Sequence, residues 1–145
     1  MAEIRQKLVV LIPTYNEREN IEELVLEILA LPLELEVTVL VVDDNSPDGT
    51  ADVVRRLAEE DPRIRMLIRL KRRGRGLAGI DGFKEALNLG ADYTIEMDGD
   101  LSHQPRFIPF FLENTQRFDL VIGSRFVPGG RDAERSFVRC LITLL

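Results

Sequence analysis

Two aspartates one residue apart, Asp98 and Asp100, close a short apolar run, Tyr93-Thr-Ile-Glu-Met97. A buried strand that delivers acids to the rim of a sheet has this pattern. Side chains alternate along an extended backbone, so both carboxylates are expected on the same side, with Gly99 permitting close backbone approach between them. Carboxylates held that close repel each other unless a positive charge sits between them. The economical candidate is a hard divalent cation, Mg²⁺ or Mn²⁺, which takes oxygen ligands and also binds phosphate oxygens. Asp-Gly-Asp alone equally suits a solvated turn, so its neighbours decide.

The elements that would position these acids alternate along the chain. Residues 8–12 form a continuous aliphatic run closed by Pro13, the pattern of a strand buried on both faces. A polar loop follows, then a helix over residues 21–31, with Ile21, Leu24, Val25, Ile28 and Leu29 at helical spacing and Pro32 as the stop. The pattern repeats: a strand over 37–42, a loop over 43–49 and a helix to about residue 60 that Thr50 is expected to cap. A third strand over 64–68 leads through a basic, glycine-rich stretch into a helix ending near Asn88, with Gly90 as its C-cap. Residues 93–97 read as the fourth strand, 106–118 as an amphipathic helix behind Pro105, and 120–122 as a fifth strand. Uniformly aliphatic strands alternating with helices imply an α/β fold, a mostly parallel sheet with helices on both faces and right-handed crossovers. In such sheets ligands bind beyond the carboxyl ends of the strands, so the loops at 13–17, 43–49 and 98–103 converge on one rim. That convergence favours a site at Asp98 and Asp100 over a turn, although Asp, Asn, Ser, Pro and Gly are also ordinary turn and cap residues.

Each loop carries its own chemistry. Asp43-Asp44 ends the second strand, where open α/β sites often grip a nucleoside with an acid. Adjacent residues point oppositely; Asp44 is the expected pocket residue and Asp43 the one that fixes the loop. Neither a Gly-x-Gly-x-x-Gly turn nor a Gly-x-x-x-x-Gly-Lys-Ser/Thr loop is present, which disfavours dinucleotide and P-loop sites. Arg72-Arg73-Gly74-Arg75-Gly76-Leu77-Ala78-Gly79 offers cations and flexible backbone ahead of a helix, suited to phosphate oxygens or simply to solvent. His103, the one histidine, reads as a hydrogen-bonded loop residue, because no Ser or Cys nucleophile pattern surrounds it. Arg125, after Gly123-Ser124, suits a bidentate grip on phosphate or a surface ion pair.

Taken in order, Pro13-Thr-Tyr-Asn-Glu17, Asp43-Asp-Asn-Ser-Pro-Asp-Gly-Thr50, Gly76-Leu-Ala-Gly79, Met97-Asp-Gly-Asp-Leu-Ser-His103 with Pro105, and Gly123-Ser-Arg-Phe-Val-Pro-Gly-Gly130 resemble the polyprenol-phosphate (dolichol-phosphate) mannose synthases. These are inverting family 2 glycosyltransferases of the Rossmann-like GT-A fold. The resemblance implies metal-dependent transfer of mannose from GDP-mannose to a polyprenyl phosphate on the cytosolic membrane face, with a β-linked product. It implies that Pro13, Tyr15 and Glu17 line the nucleotide pocket with Gly76 and Gly99 near the donor, and that Asp44 contacts the nucleoside. Asp100 becomes the principal ligand of Mg²⁺ or Mn²⁺, Asp98 holds sugar or metal, and Arg125 meets a phosphate. This sequence has Asp-Gly-Asp where the family usually has Asp-Ala-Asp, and Ser102 where some members carry a metal-binding Gln. Its glycine loop also differs slightly from the usual Lys-x-Gly-Leu-Gly. A sister enzyme using UDP-glucose or another donor, and a truncated noncatalytic nucleotide-sugar-binding domain, are the alternative readings.

The chain-wide properties are compatible with these expectations. With 145 residues and 45% hydrophobic composition, the chain suffices for one domain with a real core. The expected division is a catalytic domain over 1–130 and, over 131–145, the start of a membrane-interface or acceptor-site helix. A net charge of −6 argues against nucleic acid as a partner. The single cysteine, Cys140, fits a reducing, cytoplasmic setting. No signal-peptide pattern opens the chain, and the uncapped apolar end reads as a fragment of something longer.

Overall fold

The computed structural model describes residues 5–71 and 73–124. Its elements run β1 (Lys7–Thr14), α1 (Ile21–Leu29), β2 (Glu36–Asp43), α2 (Thr50–Glu60), β3 (Ile64–Ile68), α3 (Arg75–Asn88), β4 (Tyr93–Glu96), a 3₁₀ turn (Pro105–Phe107) and α4 (Ile108–Asn114). Two compact units divide the chain, the first ending at Ile108 and the second beginning at Pro109. The expected boundary between 130 and 131 lies outside the described residues.

The sheet of the first unit is parallel throughout, in the order β3-β2-β1-β4. β1 is central because it is aliphatic on both sides: Leu8 to Ile12 have no exposed surface. Alternation sends Val9 and Leu11, with Leu40 and Val42 of β2, to one face, where Ala78 and Ala86 of α3 complete a cluster. The opposite face is covered by α1 and α2, which contact each other and the sheet through buried Ile21, Leu24, Val25, Ile28, Val54 and Leu57. α3 packs unusually close: a Cβ placed on Gly82 would lie 2.1 Å from Leu11 Cδ1. A glycine there lets the helix backbone approach the central strand.

Pro13 extends β1 rather than closing it, pairing in register with Val42. Leu11 offers its carbonyl toward β4, accepting from Met97 N–H at 3.0 Å, so Pro13 faces the same side. There β4 has already ended, its last paired residue being Glu96 opposite Leu11. The missing proline donor therefore breaks no ladder bond.

Three local expectations are corrected. Thr50 is the first helical residue of α2 and Gly49, with φ 93°, holds the N-cap position; Asp48, one residue earlier, takes the first helical amide, its Oδ1 accepting from Thr50 N–H at 2.9 Å. The helix expected over 106–118 is a 3₁₀ turn followed by the shorter α4. Asn114 Nδ2 donates to the Phe110 carbonyl at 2.8 Å and Thr115 Oγ1 to the Leu112 carbonyl at 2.7 Å, so polar side chains take the acceptors of the last turn. Residues 120–122 form no strand, and Leu120 and Ile122 are 75% and 78% exposed. A run of three apolar residues is too short for periodicity to identify a strand. The expected Gly90 cap is present as a Schellman end, with Ala91 N–H donating to the Ala86 carbonyl and Gly90 N–H to the Leu87 carbonyl.

Candidate functional site

Strand order decides where the site lies. The connection from β1 runs outward to β2 and β3, whereas β4 returns to the other side of β1. The crevice between the carboxyl ends of β1 and β4 is thus a topological switch point. A pocket of about 240 Å³ opens there. Pro13, Tyr15 and Glu17 line it from the loop after β1, Asp44 from the end of β2, and Asp98, Gly99 and Asp100 from the end of β4. Thr14, Arg75 and Ala78 complete the lining. Gly76 is not among these residues, and Arg125 lies outside the described residues.

The first two loops are fastened to each other by side chains of the second. Asn16 N–H donates to Ser46 Oγ at 3.0 Å, Glu17 N–H to Thr50 Oγ1 at 3.0 Å, and Arg18 N–H to Asp48 Oδ2 at 3.1 Å. Asp43 anchors the arrangement from a fully buried position, accepting from Ser46 N–H at 2.8 Å, Ser46 Oγ at 2.6 Å and Thr14 Oγ1 at 3.2 Å. The loop-fixing role expected of Asp43 is therefore what the geometry shows. Ser46, Asp48 and Thr50 serve the scaffold too, satisfying successive amides that no strand or helix pairs. Glu17 is steadied further by Asn20, whose Nδ2 donates to Glu17 Oε2 at 3.1 Å.

Burial pushes the Asp48 carboxyl up, but hydrogen bonds from Thr50 and Arg18 outweigh it and hold the group below its ordinary value. A depressed folded pKa means that the stabilisation is present above the unfolded pKa and is lost as pH falls through the folded one. Asp48→Ala is expected to cost about 1 to 2 kcal/mol at neutral pH, the scale of losing hydrogen bonds to a charged group. Urea titrations of both proteins over descending pH should show the gap narrowing on the acid side.

Asp44 is nearly buried, with both carboxylate oxygens engaged. Oδ1 pairs with Arg69 Nη1, and Oδ2 accepts from Gly74 N–H at 2.6 Å. Arg69, also buried, reaches Asp81 Oδ2 of α3 through Nε at 2.8 Å, and its own N–H extends the ladder to the Asp43 carbonyl at 2.8 Å. Opposing effects act on this guanidinium: burial lowers its pKa, but the carboxylates of Asp81 and Asp44 more than reverse that and raise it. Arg75 was expected within the basic, glycine-rich stretch, against phosphate or solvent, and its pairing with Asp98 was not legible in the chain; for Arg69, which opens that stretch just past β3, nothing signalled burial against Asp44.

β4 ends at Glu96, so the expected strand alternation does not extend to Asp98 and Asp100. A turn brings them together instead. Asp100 Oδ1 accepts from Ser102 N–H at 3.0 Å, an Asx turn, with Leu101 between them at φ 62°. A non-glycine residue in that conformation is uncommon and marks a turn whose geometry its surroundings impose. His103 Nδ1 accepts from Asp98 N–H at 3.0 Å, which gives the histidine the loop role expected of it. Burial raises the Asp100 carboxyl, but the bonds from Ser102 and the nearby His103 outweigh it and hold the acid below its ordinary value. Asp98 Oδ1 is ion-paired with Arg75 Nη2 at the start of α3.

The lining residues bring four carboxylates, Glu17, Asp44, Asp98 and Asp100, against one guanidinium, Arg75. Even with Asp44 balanced by Arg69, the pocket is acidic. Hard oxygen donors suit Mg²⁺ or Mn²⁺. Among the described residues no group of three or more His, Cys, Asp or Glu forms a ready-made cage. The Asp98 and Asp100 pair fits a cation that completes its shell with water and phosphate oxygens, the usual habit of Mg²⁺.

The model of the family described as "Glycosyl transferase family 2" matches residues 9–141. The chain belongs to that family. Within it, this glycosyl transferase family 2 chain is 49% identical over 133 residues to an undecaprenyl-phosphate mannosyltransferase of Micrococcus luteus, covering 86% of the chain and 51% of the relative. It is 42% identical over 138 residues to a dolichol-phosphate mannosyltransferase of Pyrococcus furiosus, covering 94% and 38%. A mannosyltransferase from Pyrobaculum calidifontis, solved in complex with GDP-Man and Mn²⁺, superposes with a TM-score of 0.53 at 32% identity, over 67% of this chain and 28% of that one. The fold is α/β and GT-A-like, as expected. This family 2 chain spans about half, or less, of the length of these curated relatives.

Proposed function

We propose that this chain is the donor-binding part of a metal-dependent glycosyltransferase that moves mannose from GDP-mannose to a polyprenyl phosphate at the cytosolic membrane face. The observation that carries the reading is the acidic pocket at the β1/β4 switch point. A nucleoside diphosphate is itself anionic, and enters such a pocket favourably only with a cation to offset the Asp98 and Asp100 charges. The names of the mannosyltransferase relatives, and the GDP-Man and Mn²⁺ held by the structural neighbour, support the donor, the acceptor and the metal.

In this reading Asp100, kept ionised by its Asx turn, is the principal ligand of Mg²⁺ or Mn²⁺, and Asp98 is the second. When bound, the cation supplies Lewis-acid and electrostatic stabilisation of the leaving diphosphate. Tyr15, 50% exposed at the rim, offers an aromatic face to the nucleoside, and Asp44, held by Arg69 and Gly74, offers an acceptor edge. Arg125 is assigned to a phosphate of donor or acceptor. An acceptor phosphate is already an anionic nucleophile and needs no strong base. In-line attack opposite the leaving diphosphate inverts the anomeric centre and gives a β-linked product. Among the described residues no helix is long and apolar enough to cross a membrane.

Incubating the chain with Mn²⁺, radiolabelled GDP-mannose and a short polyprenyl phosphate, then extracting the lipid, tests the reading. Labelled lipid is the expected result. Retention of GDP without labelled lipid would make this chain a binding module, and calorimetry showing much tighter UDP than GDP binding would replace the mannose donor with a uridine one.

A further inference from the structure

The two acids at the end of β4 have unequal partners. Asp100 is held by the Ser102 amide within its own turn, whereas Asp98 is held from another element, by the Arg75 guanidinium. Near the second Asp98 oxygen, among the described residues, lies His103 Nε2 at 3.7 Å, beyond hydrogen-bond range. The backbone that carries Arg75 is fixed: Gly74 N–H is bound to buried Asp44, and its φ of +130° suits glycine alone. The side chain is not fixed in the same way, being 65% exposed against 25% for Asp98. Arg75 is therefore a long, mostly exposed cation on a fixed base, lining the pocket.

We infer that Arg75 is a built-in counter-cation for Asp98, latching the carboxylate while the pocket lacks a diphosphate and transferring to the diphosphate once Asp98 has a metal. This rests on the metal and diphosphate reading above. A guanidinium cannot discharge by losing a proton, so Arg75 and a divalent cation on the same carboxylate repel, and rotation of Arg75 is the available relief. Its planar fork of donors matches phosphate oxygens in two-bond geometry, which gives the displaced side chain a destination inside the same pocket. The latch keeps Asp98 compensated before donor binding and makes cation and diphosphate bind cooperatively, because each relieves a charge conflict left by the other.

The latch predicts effects of opposite sign from one substitution. Without Arg75 the cation no longer competes for Asp98, so Arg75→Gln is expected to bind Mn²⁺ alone about three- to fivefold more tightly, the scale of an exposed ion pair. The same variant is expected to bind GDP in saturating Mn²⁺ about tenfold more weakly, for loss of a charge-assisted phosphate contact. Arg75→Lys keeps the charge but loses the fork, and is expected to restore the wild-type Mn²⁺ affinity but only part of the GDP affinity. Free Mn²⁺ followed by electron paramagnetic resonance, with GDP titrated by calorimetry, reads both quantities in the full chain. Equal Mn²⁺ affinity in wild type and Arg75→Gln, on a site that Asp100→Ala removes, overturns the latch and leaves the metal reading standing. Weaker Mn²⁺ binding by Arg75→Gln shows Arg75 merely holding Asp98 in place and also overturns it. Mn²⁺ binding by none of the proteins overturns the latch and the metal site together.

Discussion

Asp100→Ala is expected to abolish Mn²⁺-dependent binding of GDP while leaving the fold intact. The side chain is exposed on a turn outside the sheet and accepts from the amide two residues on, so truncation opens no cavity in the core. The function at stake is larger than the stability. With Asp100 gone, one carboxylate remains at the end of β4, and that one is paired with Arg75. A single compensated carboxylate is a poor ligand set for a hard cation, and the diphosphate then meets an acidic pocket without the charge that would balance it. The loss in GDP affinity in the presence of Mn²⁺ should exceed about a hundredfold, since removing even an outer-shell support of a metal site costs about 10- to 100-fold. Thermal unfolding and calorimetry on the same sample separate the two effects. Undiminished Mn²⁺-dependent GDP affinity in a folded Asp100→Ala protein would remove Asp100 from the site.

Arg69→Leu is expected to be the most destabilising single change near the site, at about 3 kcal/mol, because it leaves the carboxylate of a buried ion pair without its main counter-charge. Asp44 is 5% exposed and Arg69 6% exposed. Water cannot replace the lost guanidinium at little cost, and the Gly74 amide alone does not match a full charge. The double variant Asp44→Leu with Arg69→Leu should recover part of that stability, since removing both charges also removes their desolvation penalty. It should not recover donor binding, because Asp44 lines the pocket. Urea midpoints give the first result and GDP titration the second. A single variant as stable as wild type would show that the Asp44 carboxylate finds other compensation.

Both predictions turn on how far the site could be read from the chain. The alternation of aliphatic runs with amphipathic segments was enough for the parallel sheet and its two helical layers. A run such as residues 8–12 has no polar side to turn outward, and only a strand covered on both faces satisfies it. The acids at 98 and 100 and the loops at 13–17 and 43–49 were legible for the same reason: in a parallel sheet every strand ends on the same rim. Short segments were not legible. Residues 120–122 read as a strand and form none, and the helix expected to reach 118 ends at Asn114, because three apolar residues, or one turn rich in side-chain donors, carry too little local information to outweigh context.

A doubly covered parallel sheet and an acidic rim follow from side-chain periodicity and from residue types that are costly to bury, and both are legible along the chain. How the charges on that rim are divided is set by packing in three dimensions. Strand order placed β4 beside β1 and made the crevice, Arg69 went inward to balance Asp44, and Arg75 went across to Asp98. Those pairings join residues from different elements, set by packing across the sheet, and periodicity along one chain contains no information about which distant charge a side chain will meet.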